Sequence, residues 1–369
     1  MMKKGSGMKI AALVAAATVG DGVFALPFVF YQAGWLLGLA YLLVLSAFVI
    51  VAHVVYLETL EKVGEKERLL GLSKKYLGEG GFWVGFFAIV LGLLLTLVAY
   101  LILGTQFIHL ALPAIRLRYA FAAFWALISL PVFIDDSYAI DLELVGIVCT
   151  SCVILLIFLT ALPNVFFAGI PAINWQNLFL PFGAVLFSLA GWTSIEPAYE
   201  SRKKARKHDP WRALASGTIF AALLYALFVS GILGSASIIT PDTASGLAAW
   251  PFWKKELLAI MGLIAVATVY IPISREIKNS LEKDLKWSKL FSRMLIVLLP
   301  PALILLGFNN ILSVVGLVGG VFLSMQYLLI ISVGRQALTL SPRRKLLLDL
   351  VALIFVIAAV YSVYTFVVR

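Results

Sequence analysis

Charge is scarce in this chain: Asp, Glu, Lys and Arg make up 13% of its 369 residues. Soluble domains carry roughly 25%, so a water-soluble globular fold is excluded. Cysteine is scarcer still, with two residues in all, Cys149 and Cys152. Two thiols cannot supply a four-ligand zinc site, and their spacing within an apolar helix suits packing better than redox chemistry. No Gly-x-x-x-x-Gly-Lys-Ser/Thr phosphate loop occurs, which argues against an ATP-driven pump. No motif of catalytic residues lies at membrane depth, so the chain does not read as an enzyme. No cofactor or metal is expected.

What the chain has is apolar length. It is 62% hydrophobic, its mean hydropathy is +1.02, and a membrane-crossing helix needs about 20 apolar residues. Eleven segments are expected to cross: 10–31, 36–60, 82–110, 119–133, 140–162, 177–201, 213–235, 256–273, 290–308, 311–333 and 346–368. Between the second and third, Leu69, Leu70, Leu72, Tyr76 and Leu77 alternate with lysines and acids as in a short amphipathic helix at the interface. Lys3 and Lys4 before an apolar run resemble a secretory leader, but the run continues past Ala17 to Phe30, and cleavage would cut one helix in half.

The net charge of +10 does not point to nucleic acid, because the basic residues lie in loops beside the spans. With the N-terminus in the cytoplasm, Arg116, Arg118, Lys254, Lys255 and Arg369 alone fall outside. That asymmetry predicts a cell-membrane protein with its N-terminus inside and its C-terminus outside. The acidic loop Asp135, Asp136, Asp141 and Glu143 also falls inside, but acids count for little in this rule. The run from Arg202 to Lys207 reads as an inside loop attracted to anionic lipid.

Two spans carry an anomaly at mid-depth. In the first, Gly20-Asp21-Gly22 is followed by Pro27; glycine loosens a helix and proline lacks a donor. Unpaired backbone groups in lipid are tolerated only against protein or a water-filled cavity. Two half-helices are therefore expected, meeting at Gly20 to Gly22, with amides there forming an anion-binding end. In the sixth, Phe182 to Ala190 is apolar but for Ser188, and Gly191-Trp192-Thr193-Ser194-Ile195-Glu196-Pro197 turns small and polar. Gly191 follows Gly20 by five helices, and a repeat of odd helix number inserts upside down relative to its first copy. Interrupted helices at matching places in inverted halves point to a midplane site.

The stretch Gly20 to Pro27 with Gln32-Ala33-Gly34-Trp35 resembles the first-helix signature of the amino acid/auxin permease and aromatic amino acid permease families. Leu97 to Gly104, Ser194-Ile195-Glu196-Pro197 and Val315 to Gly320 are similar to the third, sixth and tenth helices of the wider amino acid–polyamine–organocation superfamily. The resemblance implies an all-α polytopic membrane protein of the LeuT-type fold. Two inverted five-helix repeats, 10–162 and 177–335, would be followed by an accessory helix, 346–368. It further implies that Val19, Gly20, Asp21, Gly22 and Val23 hold a substrate carboxylate, with the Tyr100 hydroxyl as a further donor. Phe187, Ser188, Leu189, Ala190 and Gly191 would receive the ammonium, and Trp192 and Phe187 would line a side-chain pocket. Tyr100 reads equally well as a core aromatic.

Two departures bear on coupling. An acid at a helix centre costs about 2.5–3.5 kcal/mol on insertion scales, so Asp21 needs a use: it caps the second half-helix, carries a coupling proton, or pairs with a cationic substrate. In related transporters helix 8 supplies hydroxyls to a sodium site. Here Ala265-Val266-Ala267-Thr268-Val269 offers Thr268 alone, and a hard cation wants several oxygens. Protons through Asp21, Glu196 or Glu200 are therefore preferred to sodium, Glu200 reading better as an interfacial partner of Arg202 or Lys203. His53 and His109 read as solvated or packed. The resulting expectation is a proton-coupled amino acid symporter alternating its access around helices 1, 3, 6, 8 and 10. A permease-like amino acid sensor and a sodium-coupled transporter of the same fold are the alternatives. The partners are then an amino acid and membrane lipid, with no nucleic acid.

Overall fold

In the computed structural model, which describes residues 5–64, 68–133, 139–162, 169–203, 210–247 and 250–368, every regular element is helical. Helices satisfy their backbone bonds internally, as a chain in hydrocarbon must. The first span is broken. Helix α1 (Gly5–Thr18) stops, Gly20 is extended (φ −124°, ψ −155°), and a 3-10 turn over Asp21–Ala25 leads into α2 (Leu26–Ala33). The two halves bend by 50°. Pro27 lies in the first turn of α2, where its missing N–H leaves no bond unmade. A tight turn follows at Gly34, which takes φ +104°, and the amides of Trp35 and Leu36 donate to the Pro171 and Ala172 carbonyls.

Helix α3 (Trp35–Val63) returns across the bundle. Helix α4 (Leu69–Phe86) kinks at Gly78 (φ +72°), so the amphipathic segment is separate in direction, with Leu69, Leu70 and Leu72 buried. It runs through a π turn, Phe87–Leu91, into α5 (Gly92–Ala111). Then come α6 (Leu117–Ser129), α7 (Ala139–Ala161), α8 (Leu180–Ser188), α9 (Ile195–Lys203), α10 (Pro210–Ser235), α11 (Phe252–Asn279), α12 (Lys289–Leu305), α13 (Ile311–Leu317), α14 (Ser324–Ala337) and α15 (Pro342–Val368). A π turn, Val318–Leu323, joins α13 to α14. The sixth span is broken like the first: α8 ends at Ser188, and a 3-10 turn, Trp192–Ser194, starts α9.

Among the described residues six helices are long and apolar enough to cross a bilayer, and the bent α1–α2 pair makes a seventh. Of the other expected spans, α7 is a continuous helix of 23 residues, α6 has 13 residues and α12 has 17 with Pro300 and Pro301 inside it, and the α8–α9 pair is interrupted. Helix α5 packs along α11, α1 along α10, and α7 along both α10 and α11. Small residues permit the closest approach: a Cβ at Gly183 would stand 2.8 Å from the Gly316 carbonyl oxygen. Large apolar side chains such as Leu353, Ile357 and Val360 of α15 point outward, as a lipid-facing helix requires.

Candidate functional site

The two breaks lie against each other. A Cβ on Gly22 would fall 2.7 Å from the Ser188 Cα, and one on Gly20 would fall 2.7 Å from Val269 Cγ2 of α11. Around them five segments enclose a cavity of about 30 Å³, room for one or two waters and too little for an amino acid. It is lined by Ala17, Thr18, Gly20 and Gly22 of the first break; Leu93, Thr96 and Tyr100 of α5; Phe187, Ser188, Ala190, Trp192 and Thr193 of the second break; Val269 and Ile273 of α11; and Leu323.

Helix ends set the electrostatics. Helices α1 and α8 present their C-terminal carbonyls, which carry partial negative charge, whereas the turns at Asp21–Ala25 and Trp192–Ser194 open the N-terminal ends of α2 and α9. One small space thus has an end suited to an anion and an end suited to a cation. A single phenol serves both carbonyl ends. The Tyr225 hydroxyl of α10 lies 2.7 Å from Ser188 O and still closer to Thr18 O.

Of the residues expected here, Gly20, Gly22, Tyr100, Phe187, Ser188, Ala190 and Trp192 line the cavity. Val19, Val23 and Leu189 are buried beside it, and Gly191 packs against Thr18 Oγ1 and His53. The Asp21 side chain lies outside the described residues. Thr268 donates to Ala265 O of its own helix and packs against Gly146 of α7, while its neighbour Val269 faces the cavity. His53 is fully buried in α3, 3.3 Å from the Tyr327 hydroxyl, and is packed rather than solvated; His109 is half-buried, its Nδ1 2.9 Å from Ile115 O.

Glu196 stands away from the cavity. It accepts from the Tyr56 hydroxyl at 2.7 Å and lies 3.6 Å from Arg68, which also pairs with Glu276 of α11 at 2.7 Å. Arg68 precedes α4. Burial works against its charge, but Glu276 and Glu196 outweigh that and hold its pKa above the usual arginine range. This clasp ties α9 to α11 at one end of the molecule. At the other, a loop after α10 is held by Asp242, which accepts from Thr240 and Ser245. Its Thr243 hydroxyl donates to Phe24 O in the first break.

The family model described as transmembrane amino acid transporter protein matches residues 3–234. The chain belongs to that family. No curated protein matches it in sequence. Solved structures match in fold: a variant of the Eremococcus coleocola manganese transporter, 13% identical, covers 98% of this chain and 94% of its own with a TM-score of 0.60. The same transporter with an aromatic bis-isothiourea compound gives 14%, the same coverage and 0.58. Mhp1, a nucleobase-cation-symport-1 family transporter in a closed conformation with bromovinylhydantoin bound, gives 11%, 88% and 77% coverage, and 0.61. The fold is therefore of the LeuT type, and the chain is a multi-pass membrane transporter with a small-molecule substrate such as an amino acid.

Several groups around the transporter's site escape a sequence reading. Gln326 of α14 is fully buried, accepts from the Trp192 indole N–H at 2.6 Å and donates to Ala88 O at 2.7 Å. A lone glutamine in an apolar span is the signal that could have found it. Replacing Gln326 with leucine strands the indole N–H and the Ala88 carbonyl. The expected cost is about 1–3 kcal/mol, read as a lower unfolding temperature in detergent; an unchanged temperature would show that the bridge contributes little.

Proposed function

We propose that the chain is a proton-coupled secondary transporter of amino acids in the cell membrane, with a cytoplasmic N-terminus and an outside C-terminus. The observation that carries this is the meeting of two broken helices around one cavity, with unlike helix ends facing it. Amides from Gly20 to Val23 hold the carboxylate, carbonyls from Phe187 to Ala190 receive the ammonium, and Tyr100, Phe187 and Trp192 bound the side chain. The matching breaks support two inverted repeats, 10–162 and 177–335.

Because the cavity is too small for substrate, one end must open first. On this orientation the Arg68–Glu196–Glu276 clasp closes the cytoplasmic end and the Thr243 loop closes the outer end. Proton coupling is assigned to Glu196, which sits in the inner clasp, and to Asp21 beside the substrate. Valine at 269, where a second hydroxyl would face the cavity, supports protons over sodium.

Purified protein in liposomes should accumulate labelled amino acids when the outside is made acid, with no change when sodium is replaced by choline. Sodium-dependent uptake indifferent to pH would overturn the coupling assignment, and binding without flux would instead indicate a sensor. Glu196→Gln should still exchange amino acids across the membrane but lose accumulation under the pH gradient. Full accumulation by that variant would remove Glu196 from the coupling path.

A further inference from the structure

We infer that the Tyr225 hydroxyl is the positioning group that holds the two helix breaks in register, occupying a place where converging carbonyls would otherwise call for a small monovalent cation. The two carbonyls it serves are special. Thr18 is the last residue of α1 and Ser188 the last of α8, so each oxygen belongs to a C-terminal end carrying partial negative charge. Two such ends brought together in a low-dielectric interior repel unless something positive stands between them.

A phenol has one hydrogen to give, shared between both oxygens or exchanged between them. Thr18 O also accepts from the Gly20 amide at 2.9 Å, which its two lone pairs allow. The hydroxyls of Thr18 and Ser188 are turned back to Val14 O and Ala184 O of their own helices, so each donates elsewhere and the phenol carries the bridge. Tyr225 is fully buried and does not line the cavity; it acts on the site through the backbone it fixes. Phe228, three residues on and on the same face of α10, packs edge-on against Phe24 within the first break. Helix α10 thus grips the first break twice and the second once.

The uptake arm of the test rests on the amino acid transport reading; the ion arm does not. Tyr225→Phe keeps the ring and removes the donor. It should raise the KM for uptake roughly tenfold, the loss expected when buried acceptors lose a partner, with kcat changed less. A tyrosine that merely packs would leave KM unchanged, and that result overturns the proposal. Tyr225→Ser replaces the ring with space and an oxygen, so sodium can enter among the carbonyls. Sodium chloride, compared with choline chloride, should then raise the unfolding temperature of the serine variant in detergent and leave that of the wild type unmoved. A wild type stabilised by sodium as strongly as the variant, or a folded serine variant indifferent to sodium, overturns the cation-replacing role. Should the serine variant fail to fold, the KM of Tyr225→Phe decides. If the wild type moves no amino acid at all, the transport reading fails while the sodium comparison still tests Tyr225.

Discussion

Replacing Gly22 with alanine is expected to lower amino acid uptake at least tenfold while leaving the protein folded. The new methyl would stand 2.7 Å from the Ser188 Cα and 2.9 Å from its Oγ. Neither can step aside cheaply: Ser188 Oγ is bonded to Ala184 O, and its carbonyl is bonded to Tyr225. Overpacking of this kind costs about 1–3 kcal/mol, and 1.4 kcal/mol is about a factor of ten in an equilibrium. The penalty falls on the state in which the breaks touch, so the closed intermediate is disfavoured and the cycle stalls. Gly80→Ala, where an added methyl meets nothing within 4 Å, is the control and should transport normally. Wild-type uptake by Gly22→Ala would mean that the contact between the breaks is not part of the cycle.

The second large effect is expected at Arg68. Its guanidinium is the partner of Glu276 at 2.7 Å and faces Glu196 at 3.6 Å, with side-chain exposures of 20%, 9% and 15% respectively. Arg68→Gln leaves two mostly buried carboxylates facing each other, with Tyr56 the one side chain among the described residues still donating to them. Fully buried pairs cost about 3–5 kcal/mol when one partner is removed and exposed pairs far less; this clasp lies between, at about 2–3 kcal/mol. A lower unfolding temperature is expected, together with faster labelling of a cysteine introduced on α9 beside Glu196. Adding Glu276→Gln should recover most of the lost stability, because it removes the repulsion that the first change created. Additive losses in the double variant would show that the clasp is incidental.

The breaks were legible because glycine and proline act on the backbone itself, whatever surrounds them. Gly20, Gly22, Gly191 and Pro27 therefore announced the interruptions before any tertiary contact was known. Helix ends were less legible: α6 gives way to a 3-10 turn at Leu130, and α12 carries Pro300 and Pro301 inside it. The partners were not legible. Tyr225 is one aromatic among many in an apolar span, and only the folded chain brings α10 against both breaks. Arg68 counted merely as an inside charge, since a loop composition reports orientation and not which carboxylates lie across the bundle. Glu196 was legible as an acid out of place; its partners Tyr56 and Arg68, far away in sequence, were not.

The most direct test is a structure of the protein with an amino acid bound. The account predicts ligand density between the breaks, its carboxylate against the amides of Gly20 to Val23 and its ammonium against the carbonyls of Phe187 to Ala190, with the cavity enlarged to admit it. A ligand seated elsewhere, with Gly22 still in contact with Ser188, would contradict it.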